Sequence, residues 1–300
     1  MAVDVDALKP YRMAVQDNRR WADFEVRPDD IFVCTPAKCG TTWTQTIIAN
    51  LLWPDGRFPA PVLTMSPWIE AQFIPCEAMH EMLRAQQHRR FMKSHTPADG
   101  IPYFPEAKYV FVARDGRDAF MSMCNHMERM NRDLVGTLNA KATADGLPPM
   151  PPWTGDVHGF FRAWLAVAGH IQHVGTFWSW RQRPNVLLLH YNDLKSDLSG
   201  EMRRLARYLD IDVPEVAWPA AVERCTFESM RNQEQEISAF EAFEGGIKGF
   251  IFKGTNGRWR EVLTAAELEG YARRVSQLLP AGADAWMEQG RTRLGAVAHA

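Results

Sequence analysis

The stretch "FVCTPAKCGTTWTQTI", residues 32 to 47, constrains this chain more than any other. An apolar run, a turn containing glycine and a helical pattern follow one another with one lysine inside the turn. That is the outline of a strand, a phosphate-binding loop and a helix start. Backbone N–H groups at a helix start are unpaired and sit at the positive end of the helix dipole. A turn such as Ala37-Lys38-Cys39-Gly40-Thr41-Thr42 lets several of them converge on one anion. Gly40 permits close approach, Thr41 and Thr42 add hydroxyls, and Lys38 adds a full charge. The nucleotide-triphosphatase spacing G-x-x-x-x-G-K-S/T is absent, because Lys38 precedes Gly40 instead of following it.

The rest of the chain supplies the sheet that such a loop requires. Ile31–Thr35, Arg90–Ser94, Tyr109–Ala113 and Val186–Tyr191 read as short buried strands. Helical patterns cover Thr41–Leu52, Arg117–Met130, Gly159–Trp180, Ser199–Leu209 and Ala265–Leu279. Strands alternating with helices predict one α/β domain, residues 1–300, with a central parallel sheet flanked by helices. Leu51–Pro75 and the proline-rich Leu134–Thr154, containing GLPPMPPW, read as loops, the second as a loop or lid and not a domain boundary.

Composition limits the partners. A formal net charge of −2 argues against a protein that coats nucleic acid or an anionic membrane. No apolar run is long enough for a membrane span, and the acidic N-terminus does not resemble a signal peptide. Five cysteines without a C-x-x-C pair read as reduced thiols of a cytoplasmic protein.

Two further stretches carry chemistry. In "FMKSHTP", Lys93 and His95 fall at the end of a predicted strand and, two residues apart, face one side. The carboxyl edge of an open α/β sheet is where ligands bind, so His95 is a candidate proton acceptor. In "VARDGRDAFMS", Arg114 ends a strand and Ser122 lies about two helical turns on. They are candidates for a second phosphate, with an Arg114–Asp118 surface pair as the alternative. The pair His170 and His173 in HIQH has metal-ligand spacing, but no cysteine or carboxylate cluster accompanies it, which favours structural histidines.

The set AKCGTTW, KSH, VARDGRDAFMS and FKGTNGRW, in this order and spacing, resembles the soluble sulfotransferases from about Asp30 to Glu269. The resemblance implies a single domain related to nucleotide kinases. It also implies transfer of a sulfuryl group from 3′-phosphoadenosine 5′-phosphosulfate (PAPS) to a hydroxyl or amine, with adenosine 3′,5′-bisphosphate (PAP) as product and no metal. The implied catalytic set is His95 as base, Lys38 at the leaving phosphate, Lys93 and Ser122. The implied cofactor set is Lys38, Cys39, Gly40, Thr41, Thr42 and Trp43, with Arg114, Ser122, Lys253 and Gly254 on the 3′-phosphate. Tyr191, Thr226, Phe227 and Met230 complete it, Phe227 sandwiching the adenine opposite Trp43.

The chain departs from the family pattern in three places. Cys39 stands where serine is usual, and at a helix N-terminus it is expected to have a lowered thiol pKa and to be oxidisable. Phe252 replaces an arginine, removing one 3′-phosphate contact that Arg258 or Arg260 would have to supply. The family's dimer motif survives only as Arg260, Thr264, Ala265 and Glu269, so a homodimer is a weak expectation. Trp68, Phe73, Ile74, Phe104 and Trp153 are candidates for a pocket taking a small or lipid-like acceptor. A kinase-like phosphotransferase and a PAPS-binding protein without turnover remain as alternatives.

Overall fold

A computed structural model describes residues 3–237 and 242–294. Four strands form the central sheet: β1 (Ile31–Cys34), β2 (Phe91–Ser94), β3 (Lys108–Ala113) and β4 (Val186–His190). They lie in the order β2-β1-β3-β4 and every pairing is parallel. These are the four strands expected from sequence, within a residue or so at each end. Their near-continuous apolar runs follow from burial on both faces, which a parallel sheet with helices on each side imposes.

Alternation along β1 separates two cores. Ile31 and Val33 face one side, where Ile47 and Ile48 of α1 (Thr41–Leu52) meet Met202 and Leu205 of α8 (Leu198–Tyr208). Phe32 and Cys34 face the other, with Phe111 stacked on Phe177 at 4.4 Å. Ile47 and Ile48 are fully buried, each contributing about 1.5–3 kcal/mol. Between α1 and α8 the chain forms α2 (Cys76–Ala85), α3 (Gly116–Arg129), α4 (Arg132–Ala144), α5 (Val157–Val167), α6 (Gly169–Trp180) and α7 (Tyr191–Ser196). After α8 come α9 (Trp218–Arg224), α10 (Ala265–Leu278) and α11 (Ala283–Gln289), interspersed with single helical turns. A buried ion pair, Arg90 to Asp30, ties the foot of β2 to that of β1.

Two expectations are corrected. Leu134–Thr154 is not wholly a loop, because α4 runs to Ala144. Asn131 caps it by accepting from the N–H groups of Asp133 and Leu134, and Leu138 and Ala142 are buried. The prolines begin beyond the helix and punctuate only its exit. The single helix expected over Gly159–Trp180 is two, α5 and α6, divided at Ala168, whose φ is 52°. A left-handed residue ends one helix and caps the next, so apolar periodicity continued while the axis did not.

Candidate active site

Each strand of the sheet hands the chain to a site residue at its carboxyl end: Thr35 after β1, His95 after β2, Arg114 after β3 and Tyr191 after β4. Thr35 prolongs the ladder, its N–H donating to Ser94 O at 3.1 Å. The turn that follows holds Lys38 at φ 69° and Gly40 at φ 100°. Left-handed backbone costs a non-glycine residue about 1 kcal/mol or more, and such strain concentrates at functional sites. At Gly40 a side chain would also be crowded, since a Cβ there meets Tyr191 Cδ2 at 3.1 Å. Gly40 caps α1 without any side-chain bond to the first-turn amides. Those N–H groups are therefore left to face whatever anion the turn receives. Thr41 Oγ1 lies 2.6 Å from Thr35 Oγ1, and both Thr41 and Thr42 are buried.

The histidine is fixed by the turn it faces. His95 Nδ1 lies 2.8 Å from Thr35 O, so Nδ1 carries the proton and donates it, and Nε2 keeps its lone pair. Burial and then the charge of Lys93 pull its pKa down to about 3, against the opposing bond to Thr35 O. The ring is accordingly neutral at neutral pH. Lys93 and His95 do share one side, as expected: both meet the Trp68 ring, Lys93 Nζ at 5.3 Å and the imidazole at 4.9 Å. Burial lowers the Lys93 pKa to about 8, while Glu70 opposes the shift.

Lys38 reaches across to α3 and to the single helical turn Gly246–Phe250, its Nζ 3.3 Å from His126 Nδ1 and 4.4 Å over the Phe250 ring. Burial, then Arg114 and Lys93, lower its pKa to about 7. The charged groups that lower it, Arg114 and Lys93, are of its own sign.

Arg114 is held from several directions. Its guanidinium donates to Lys38 O, Thr255 O and, at 2.7 Å, Asn256 Oδ1, and stacks on Tyr191 at 4.1 Å. Its Nε is buried without a partner. Asp118 does not pair with it, but accepts from Gly257 N at 2.7 Å. Ser122 is part-exposed on α3 beside Met121, whose carbonyl accepts from Arg258. Lys253 is exposed and Phe252 lies between its Nζ at 5.2 Å and the Arg129 guanidinium at 4.6 Å. Of the two arginines expected to replace the missing one, Arg258 lies against α3 near Ser122, and Arg260 stacks outward on Trp259.

Trp43 meets Tyr191 edge-on at 5.3 Å and donates through Nε1 to Cys225 O at 2.8 Å, one residue before Thr226. Thr226 caps the turn Phe227–Met230. Phe227 is 37% exposed and crowds Gly254, where a Cβ would meet its ring at 2.6 Å. Met230 is buried in a small cluster against which Trp43 packs. Lys38, Thr41, Trp43, Lys93, His95, Arg114 and Tyr191 are therefore drawn to one sheet edge from four separate stretches of the sequence.

The expectation for Cys39 is overturned. The thiol is buried, 3.9 Å from His170 Nδ1, and burial pushes its pKa up to about 12 despite the charges of Arg114 and Lys38. Desolvation outweighs the helix-terminus effect. His170 and His173 are buried, His170 Nε2 donating to Arg114 O at 3.1 Å and His173 lying against Phe111. Among the described residues no group of three or more metal-ligating side chains occurs. Of the acceptor candidates, Trp68 and Phe73 extend from His95, their rings 5.9 Å apart, whereas Phe104 packs on Trp21 and Trp153 on Phe160. Thr35, Asn256 and Lys195, whose Nζ donates to Gly254 O at 2.7 Å, were missed. Thr35 follows a buried strand, Lys195 lies in α7 and Asn256 in a loop, and none of these local settings carries a sign of such distant partners.

A family model described as the sulfotransferase domain matches residues 28–283. The chain is 33% identical over 307 residues to a glycolipid sulfotransferase of Mycobacterium tuberculosis, covering 94% of each protein. It is 26% identical over 258 residues to human sulfotransferase 1C2, covering 83% of this chain and 82% of that protein. Among solved structures it is similar to mouse sulfotransferase SULT7A1 complexed with PAP, with 19% identity, a TM-score of 0.65 and 86% of each chain covered. Retinol dehydratase in complex with androsterone and PAP is similar at 20% identity and a TM-score of 0.60, over 85% of this chain and 81% of that one.

Proposed function

This chain belongs to the sulfotransferase family, and from that premise we propose that it moves a sulfuryl group from PAPS to a hydroxyl or amine of a small or lipid-like acceptor. The observation that carries the reading is the pairing of a tautomer-fixed, neutral His95 with a turn whose surrounding charges, Lys38, Lys93 and Arg114, are all positive. The donor set fits a ligand with two separate anionic ends. The amides after Gly40 and Lys38 would hold the 5′-phosphosulfate. Arg114, with its unpartnered buried Nε, would hold the 3′-phosphate together with Ser122, Lys253 and Gly254. Trp43, Tyr191, Thr226, Phe227 and Met230 would frame the adenosine.

PAPS supplies an activated sulfuryl group whose leaving group is a weakly basic phosphate. His95 Nε2 accepts the proton from the acceptor's O–H or N–H as that atom bonds to sulfur. Lys38 neutralises the charge left on the 5′-phosphate oxygen as its bond to sulfur breaks. General-base help of this kind is worth about 10²–10⁴-fold in rate, and a preorganised cation several kcal/mol. The anionic donor also offsets Lys93 and Lys38, which raises His95 from its depressed value and makes it a stronger base where it is needed.

Trp68 and Phe73 give the acceptor an apolar approach to His95, and the glycolipid relatives favour a lipid-like one. Residues 1–300 are read as one sulfotransferase domain of a cytoplasmic enzyme. No helix among the described residues is long and apolar enough to cross a membrane. Arg260, Thr264, Ala265 and Glu269 are exposed, as pairing with a second copy would require.

Calorimetric titration with PAP and with ATP separates this reading from a phosphotransferase. PAP should bind tighter, without magnesium. His95→Ala should abolish sulfuryl transfer while PAP affinity stays within about twofold, a base acting on the acceptor alone. Tighter ATP binding, or a His95→Ala enzyme of wild-type rate, overturns it.

A further inference from the structure

The contact between Lys38 and His126 is absorbed by none of the roles above. His126 follows Ser122 by four residues on α3, and i, i+4 neighbours share a helix face. That face is turned to the phosphate turn, with His126 Nδ1 3.3 Å from Lys38 Nζ. The imidazole itself is set by Phe243, 4.8 Å away, and Phe250, 6.1 Å away. Phe250 also presents its face to Lys38 Nζ at 4.4 Å. This long flexible amine, which among the described residues pairs with no carboxylate, is thus held from two sides, by one lone pair and one ring face.

We infer that His126 is the positioning residue of Lys38: its Nδ1 lone pair accepts a hydrogen bond from the Lys38 amine and aims it at the turn. An ammonium has only donors, so the interaction requires a neutral His126 with its proton on Nε2. Its surroundings enforce the neutral ring, because burial and the charges of Lys38, Lys93 and then His95 hold the imidazole pKa well below its usual value, and the contact with Lys38 then selects the tautomer. His126 itself touches no reacting atom in this scheme and acts through Lys38 alone. A lysine misplaced by about 1 Å relative to a leaving oxygen can lower a rate a hundredfold, which gives the contact kinetic weight.

The catalytic half of this inference rests on the sulfotransferase reading, and its test therefore has an arm that does not. In long-range proton–nitrogen NMR of the ligand-free protein, His126 Nδ1 should resonate as an unprotonated nitrogen, and Lys38→Met should shift it. A protonated Nδ1, or a signal indifferent to Lys38→Met, overturns the inference whatever the donor is. In the sulfuryl-transfer assay, His126→Phe should lower kcat by about tenfold or more, with KM for PAPS changed no more than about twofold. His126→Gln, whose amide oxygen can accept the same bond, should recover most of the loss. In a Lys38→Met background, His126→Phe should lower kcat no further, since coupled residues are not additive. An equal further loss in that background, or a Gln variant no better than Phe, overturns it. Absence of any transfer by the wild-type protein would count against the sulfotransferase reading, leaving the NMR result to decide on His126.

Discussion

Lys38 is buried beside charges of its own sign, and the ease with which it loses its proton should be visible in the pH dependence of ligand binding. Its pKa in the free site is lowered to about 7, by burial first and by Arg114 and Lys93 after it. Beside a bound phosphate the ammonium is favoured, so the complex keeps a proton that the free site loses above pH 7. Binding then takes up a proton, and affinity falls as pH rises, the reverse of the trend expected from the ligand's own phosphate ionisation below pH 7. The protonated fraction of the free site drops from one half at pH 7 to about one hundredth at pH 9. The dissociation constant for PAP should therefore rise roughly fiftyfold over that interval, approaching tenfold per unit. Titration calorimetry in two buffers of different ionisation enthalpy measures both quantities. Proton uptake should approach one per site near pH 8. In Lys38→Arg the guanidinium stays charged throughout, so uptake and slope should vanish, apart from any decline beginning near pH 8 that marks Lys93, whose pKa is about 8. A wild-type affinity flat from pH 7 to 9, or a slope that survives Lys38→Arg with its onset unchanged, refutes the assignment.

Other perturbations follow from the same geometry. Gly40→Ala must adopt φ 100° and meet Tyr191 at 3.1 Å; chemical denaturation should show a loss of about 1–3 kcal/mol, and calorimetry a PAP affinity at least tenfold weaker. Thr264→Ala removes the capping box it forms with Glu267 at the start of α10. Urea unfolding should report about 1 kcal/mol less stability, with sulfuryl transfer unaltered. Arg90→Met leaves Asp30 charged and buried, and should cost about 3–5 kcal/mol in the same assay. Cys39 should resist alkylation by iodoacetamide at pH 8, and mass spectrometry should find the label on Cys76, which alone among the five cysteines is not buried.

How far the sequence carried this structure differs from feature to feature. The strands were legible because β1 and β3 are buried on both faces and leave unbroken apolar runs. The strand, turn and helix around Gly40 were legible because their parts are consecutive: the lysine, the glycine and the helix start fall within six residues. The break at Ala168 was not, since alanine carries no signal for left-handed backbone and the apolar spacing ran straight through it. Helix α4 was obscured by prolines that follow it. Cys39 shows where reasoning by position misleads. Its place at a helix start argues for a reactive thiolate, but the side chain turns away into the core toward His170, and desolvation decides the sign. Thr35 fixing His95 and Asn256 fixing Arg114 join residues 60 and 142 positions apart; such contacts belong to the folded topology, and no local pattern encodes them.

Tyr191 touches the Gly40 turn and Arg114 at once. One edge of its ring fills the space over Gly40, at the amide turn, and its face lies 4.1 Å beneath the Arg114 guanidinium. On the proposed function, a rigid ring between the two would act as a gauge, setting how far apart two negative groups must lie to engage both. Ligands with one anionic end, or with two at another spacing, would satisfy the turn or the arginine but not both together. One aromatic spacer at the sheet edge would then select a ligand by its length.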